Sequence, residues 1–193
     1  MERKKAEIAN LVPNIDKIIA AISYIIKAAS ENNHVVTQYD IVKTMFLADR
    51  AHLNRYGRLI SSDNYVAMYH GPVPTVAYDI LKRNAHTMRM YNLDELPWDM
   101  EKGERGLFIY SNSDVSWVDD HLSLSDKKAL NEAAITVKSL GFGQIRRLTH
   151  EDPAYVDAWE DDGDRKQYPM SLGLLFEVPN FDKARELQDI SGL

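Results

Sequence analysis

The chain has no cysteine among its 193 residues. That excludes disulfide scaffolds, thiolate zinc sites, iron–sulfur clusters and cysteine nucleophiles together. Positive charge is also in short supply: 23 Lys and Arg stand against 29 Asp and Glu, a formal net charge of −6. A generally basic nucleic-acid binder is therefore not expected, because phosphate contacts need a cationic face. Long apolar runs are missing too. The most apolar stretch, Ile18 to Ala29, is broken by Ser23 and Lys27 and is too short to span a bilayer. No extended apolar segment follows the first five residues, so neither a secretory leader nor a membrane anchor is expected, and the cytoplasm is the expected location. Internal repeats and low-complexity linkers are absent, as are GxxxxGKS/T, GxGxxG after a strand, HExxH and GxSxG.

What is present is the composition of a globule, 45% hydrophobic and 27% charged, with one domain expected over residues 1–193. Its charge is unevenly placed. Residues 151–165, EDPAYVDAWEDDGDR, hold seven acids and one arginine and so account for the whole net charge. The DDGD within it lacks the alternating ligand spacing of a calcium loop. Tyr155, Trp159 and Tyr168 flank the acids. Aromatic anchors beside steering charges suit a partner surface built on Tyr155, Asp157, Trp159, Glu160, Asp161 and Asp162. The plainer expectation is an amphipathic segment with its rings tucked inward and its acids in water.

Periodicity predicts a mostly α-helical, α+β fold: a compact helical domain with a small β-hairpin or sheet. Ile15, Ile18, Ile19, Ile22, Ile25 and Ile26 form one apolar stripe, capped by Asn14 or Asp16 and running to about Ser30. Thr37 and Asp40 have capping-box spacing for a helix over 38–56 that Gly57 stops. Extended backbone is expected at Tyr65–Tyr69, and the corner His70-Gly71-Pro72-Val73-Pro74 cannot be helical. Further expectations are a helix from Pro74 to about Arg83, strands at 87–91 and 106–112, and a helix over 126–140 capped by Ser125. A short helix at 144–149 and a terminal one from Phe181 complete the reading.

Among polar groups, Asp49 falls within the apolar stripe of the second helix and needs a partner or a role. His52 lies three residues on, and His70 and His150 could converge with them from other segments, as an acid–base or metal centre would require. The alternative is that Asp49 accepts hydrogen bonds from loop backbone while the histidines cap turns, and this is the weightier expectation. Arg146, Arg147, Lys82 and Arg83 are the cations that a DNA-binding reading would use, against the acidic net charge.

Two separated blocks carry a family resemblance. The first comprises Asp49, Arg50 and His52, then Tyr56, Gly57 and Arg58, Asp63, Tyr65, Met68, and His70, Gly71, Pro72 and Val73 leading to Tyr78. The second comprises Leu124-Ser125, then Leu148, Thr149 and His150 with Asp152, Pro153, Ala154, Tyr155 and Trp159. Over about residues 14–160 the chain resembles the Panacea, or SocA-like antitoxin, domain, with 161–193 as an extension. The resemblance implies a bacterial or phage antitoxin, not an enzyme, that neutralises a cognate toxin by direct protein–protein binding without metal or cofactor. Some relatives are linked to delivering a toxin to a protease. The shared Asp49, His52 and His70 would then be fold determinants. The toxin, the binding face and the oligomeric state stay open.

Overall fold

The structure is a computed structural model that describes residues 5–103, 106–112, 115–161 and 163–192. Helix α1 (Ile15–Glu31) begins where the Asn14 side chain accepts from the Lys17 N–H, and it buries Ile18, Ile22, Ile25 and Ile26. After strand β1 (Val36–Thr37), helix α2 (Gln38–Tyr56) opens on the Thr37–Asp40 capping box. It closes on Gly57 in the left-handed region at φ 76°, with the Gly57 N–H on the Leu53 carbonyl. Residues 41–46 of α2 are all buried, so this stretch of the helix is enclosed on every side. One of its faces (Ile41, Val42, Met45, Ala48) joins a core shared with α1. Another (Phe46, Leu53) joins a second core completed by Tyr155, Tyr168, Met170 and Leu172.

Strands β2 (Tyr65–Met68) and β3 (Gly71–Pro74) form a tight hairpin, with Met68 opposite Gly71 and Tyr65 opposite Pro74. Tyr69 and His70 make the two-residue turn. Neither has positive φ; the twist is supplied by Gly71 at φ 103°, a value that L side chains rarely adopt. The corner expected only to be non-helical is thus a strand. Asp63 caps helix α3 (Thr75–Leu81) from a distance, its carboxylate accepting from the Val76 and Ala77 N–H groups at 3.1 and 2.8 Å and from the Thr75 hydroxyl at 3.0 Å. Burial pushes the Asp63 carboxyl up to about 6 against these bonds.

Residues 87–91, expected as a strand, instead lie in and just after helix α4 (Ala85–Met90). The reason is local: the Asn84 side chain accepts from the His86 and Thr87 N–H groups and starts a helix that β-propensity alone argues against. The second expected strand is present as β5 (Phe108–Ser111), which pairs antiparallel with β1 and with β4 (Asp99–Lys102). After α5 (Val118–His121), helix α6 (Leu124–His150) is capped by Ser123 and not by Ser125, since the capping box closes between Ser123 and Asp126. Gly141, at φ 69° and ψ 177°, breaks α6 into two segments, which is why the sequence reads as two helices there. Helix α7 (Pro153–Ala158) starts at the Asp152 cap with Pro153 in its first turn. Strand β6 (Tyr168–Pro169) pairs with β2, and α8 (Phe181–Ser191) follows a single 3-10 turn at Leu172–Leu174. Among the described residues this makes a mostly helical α+β fold with two three-stranded antiparallel sheets, and no helix is long and apolar enough to cross a membrane.

Two of the positive-φ glycines, Gly57 and Gly71, give a paired test. At Gly57 an added Cβ meets nothing within 4 Å, so Gly57→Ala should cost about 1 kcal/mol of backbone strain alone. At Gly71 the Cβ would lie 2.8 Å from Thr149 Oγ1 and 2.9 Å from Lys43 Nζ, so Gly71→Ala should cost more than about 2 kcal/mol. Urea unfolding of the two variants measures this. Equal losses would mean that the hairpin is not seated on α2 and α6.

Candidate functional site: the hairpin tip

Three ionisable side chains on α2 are almost fully buried, and each faces a different element. Asp49 accepts from the Ile60 N–H at 2.6 Å, the Ser61 hydroxyl at 2.8 Å and the Tyr65 hydroxyl at 2.8 Å. Burial raises its pKa, opposed by these bonds. His52 turns the other way. Its Nδ1–H donates to the Arg58 carbonyl at 2.9 Å, and its Nε2 lies 3.1 Å from both the Ser125 hydroxyl and the Asp126 carboxylate. Asp126 also receives Lys17 at 3.0 Å and Arg58 at 2.8 Å. Burial opposes its charge, but the Ser123 N–H and these two cations outweigh it and hold its pKa below the ordinary value.

The third is Lys43. Its exposure is 1%, its Nζ donates to the Pro72 carbonyl at 2.7 Å, and no carboxylate pairs with it among the described residues. Burial lowers its pKa to about 7. It lies directly beneath Gly71, beside Thr149. The hairpin tip therefore rests on an amine that has no counter-ion.

Around that tip runs a chain of rings. Centroid separations are 4.6 Å for Tyr39–Phe142, 5.6 Å for Phe142–His70, 4.9 Å for His70–Tyr69 and 6.5 Å for Tyr69–Trp159. Tyr155 continues the chain inward, 6.0 Å from Trp159 and 4.3 Å from His150, and its hydroxyl donates to the Met68 carbonyl. Phe142 and Tyr69 are 54% and 63% exposed. The Arg146 guanidinium lies 5.1 Å over the Tyr69 ring. Tyr69, Arg146, His150, Tyr155, Val156, Trp159 and Asp161 enclose a notch of about 300 Å³. Burial, then the charges of Arg146 and Lys43, lower His150 to about 4 and push His70 down as well.

The residues singled out in the sequence divide accordingly. Asp49, His52, His70 and His150 do not converge: Asp49 and His52 point to separate elements, while His70 and His150 border the hairpin tip. Among the described residues no group of three or more His, Asp or Glu is arranged to hold a metal ion. Arg50 pairs with Asp152 at 2.6 Å, tying α2 to the start of α7. The Tyr56 ring lies against His52, Tyr78 lies under the Lys82 ammonium, and Met68 and Gly71 close the hairpin. Arg83 donates to the Trp98 carbonyl, so the Lys82–Arg83 pair is engaged at the end of α3, whereas Arg146 lies over Tyr69.

In the acidic segment Tyr155 is buried. Asp157 accepts from the Ala6 N–H at 3.0 Å, Glu160 pairs with Lys5 at 2.6 Å, and Asp161 accepts from the Trp159 indole at 2.7 Å. Asp162 lies outside the described residues. Periodicity missed Lys43, Tyr69 and Phe142. The available signal was a lysine inside the buried run Ile41–Phe46, which has no solvent face to receive it.

The geometry defines a helical scaffold whose buried polar groups are mostly paired, with a buried lysine, an arginine and a chain of rings meeting at one hairpin tip. A family model described as "Antitoxin SocA-like, Panacea domain" matches residues 41–155, and the chain belongs to that family. No curated protein and no solved structure matches the chain.

Because Lys43 binds its proton more weakly folded than unfolded, its penalty is full below about pH 7 and is relieved as pH rises toward the ordinary lysine value near 10.5. Stability should climb across that window by at most about 1.4 kcal/mol per pH unit. In Lys43→Met the climb should be absent. Urea midpoints at pH 7 and pH 9.5 compare the two proteins, and equal slopes would contradict the burial of an unpaired amine.

Proposed function

We propose that this chain is an antitoxin that neutralises a cognate toxin by stoichiometric protein–protein binding, with residues 1–193 acting as one domain in the cytoplasm. The observation that carries the reading is its membership of the SocA-like family over residues 41–155. The contact surface is the strip at the hairpin tip, Tyr69, His70, Phe142, Arg146 and Trp159. Tyr69 is exposed and Trp159 and Arg146 are half-buried around a rigid turn, and Tyr, Trp and Arg are the side chains that anchor interfaces, because they bury large areas at low entropic cost. Asp161 belongs to the rim, while Asp157 and Glu160 hold the segment around Lys5 and Ala6.

In this reading Asp49, Arg50, His52, Asp63, Tyr65, Gly71, Pro72, Val73, Tyr78 and Pro153 act by shaping the scaffold. Catalysis has no part in the mechanism: a toxin covered at its active surface is inhibited for as long as the complex lasts, so residence time sets the protection.

The test uses the protein encoded by the neighbouring gene, co-expressed with this chain. Growth should be rescued, and calorimetry should give a one-to-one complex. Tyr69→Ala with Phe142→Ala should weaken binding at least about tenfold with unchanged unfolding, and Asp157→Asn with Glu160→Gln should leave it within about twofold. The reverse ranking would move the contact to the acidic segment. Rescue that needs a protease would replace occlusion by delivery, and absence of both rescue and complex would end the antitoxin reading.

A further inference from the structure

The charges at the hairpin tip do not balance. Arg146 and Lys43 meet there beside His70 and His150, whose lowered pKa values leave them uncharged at neutral pH, and neither cation forms an ion pair with a carboxylate among the described residues. The single acid in the notch, Asp161, is bonded to the Trp159 indole. Two further atoms are unsatisfied: Arg146 Nε and His150 Nε2 are buried with no hydrogen-bond partner. An arginine N–H left without an acceptor is costly, so an acceptor that reaches the wall of the notch would be bound with a net gain.

We propose that the notch between Tyr69, Arg146, His150 and Trp159 receives a carboxylate from the partner protein, an Asp or Glu side chain seated beside an apolar residue. This rests on the antitoxin reading for the identity of the partner, and on the notch alone for its chemistry. The guanidinium fork of Arg146 matches a carboxylate in plane and is held by its stacking on Tyr69. Lys43 contributes through its field from behind the hairpin, since its own surface is covered. The apolar neighbour is placed by the exposed rings of Tyr69 and Phe142, which flank His70. A phosphate dianion fits less well because Asp161 already puts one negative charge on the rim. A nucleobase fits less well because the Tyr69 and Trp159 rings cross at 65°, and the parallel pair Tyr155–Trp159, with centroids 6.0 Å apart, is too close to admit a base between its rings.

Titration of the 15N-labelled full chain distinguishes these ligands without the toxin. The probes are N-acetyl-Phe-Glu-amide, its neutral counterpart N-acetyl-Phe-Gln-amide, and AMP, read at the Trp159 indole N–H and the Arg146 Nε–H. The acidic probe should shift both resonances saturably and at least tenfold more tightly than the neutral one. Arg146→Gln, at a half-buried position whose contacts are the Tyr69 ring and carbonyl, should abolish the difference while the spectrum away from the hairpin tip stays unchanged. Equal binding of the two peptides, no shift up to 50 mM, or preference for AMP would each overturn the carboxylate assignment. A failed co-expression rescue with a positive peptide titration would instead remove the toxin and leave the site.

Discussion

Residues 41–46 of α2 have no solvent face on which to place a charge, yet the helix carries Lys43 there and buries Asp49 and His52 further along. Each must find a partner or pay the full cost of desolvation. Asp49 gathers the backbone of residues 60–61 and the Tyr65 hydroxyl, His52 gathers Arg58 and the start of α6, and Lys43 takes the Pro72 carbonyl. The positions of the loop after α2, the β2–β3 hairpin and the first turn of α6 are therefore set by three polar side chains on one element. Apolar packing supplies the bulk of the stabilisation around them, but it is not directional.

The helices that follow from this arrangement were the legible part of the sequence. The isoleucine stripe of α1, the Thr37–Asp40 capping box and the Gly57 stop are local signals, decided by residues within a turn of one another. Strand β4 gave no such signal: Asp99, Met100, Glu101 and Lys102 form a mostly exposed edge that pairs because β5 lies beside it. The 87–91 run was misread because one upstream asparagine outweighs β-branched preference. For the site, the His70–Pro74 corner was visible as a special backbone, but the residues that surround it were not. Phe142 reaches His70, and Arg146 and Trp159 reach Tyr69, through tertiary packing, which no spacing in the chain records.

The acidic segment shows how far charge bookkeeping reaches. All of the net charge of −6 falls on residues 151–165, yet Asp152, Asp157, Glu160 and Asp161 each have a partner inside the chain. Net charge is a count, whereas a surface potential depends on which charges are already answered. At the hairpin tip the unanswered ones are positive, in a protein that is acidic as a whole.

Gly141 gives this arrangement a modular character. Its backbone, in a region that residues with a side chain seldom occupy, ends one straight run of α6 and begins another. The first run, with Ala129, Leu130 and Ala133, belongs to the interior; the second carries Phe142 and Arg146 outward and sinks only Ile145 and Thr149. Folding and presentation are thereby written into different stretches of one helix. Exchanging the outward residues beyond the break alters what the surface offers without disturbing the interior, so a lineage of such proteins could change partners by a few substitutions at little expense to the fold.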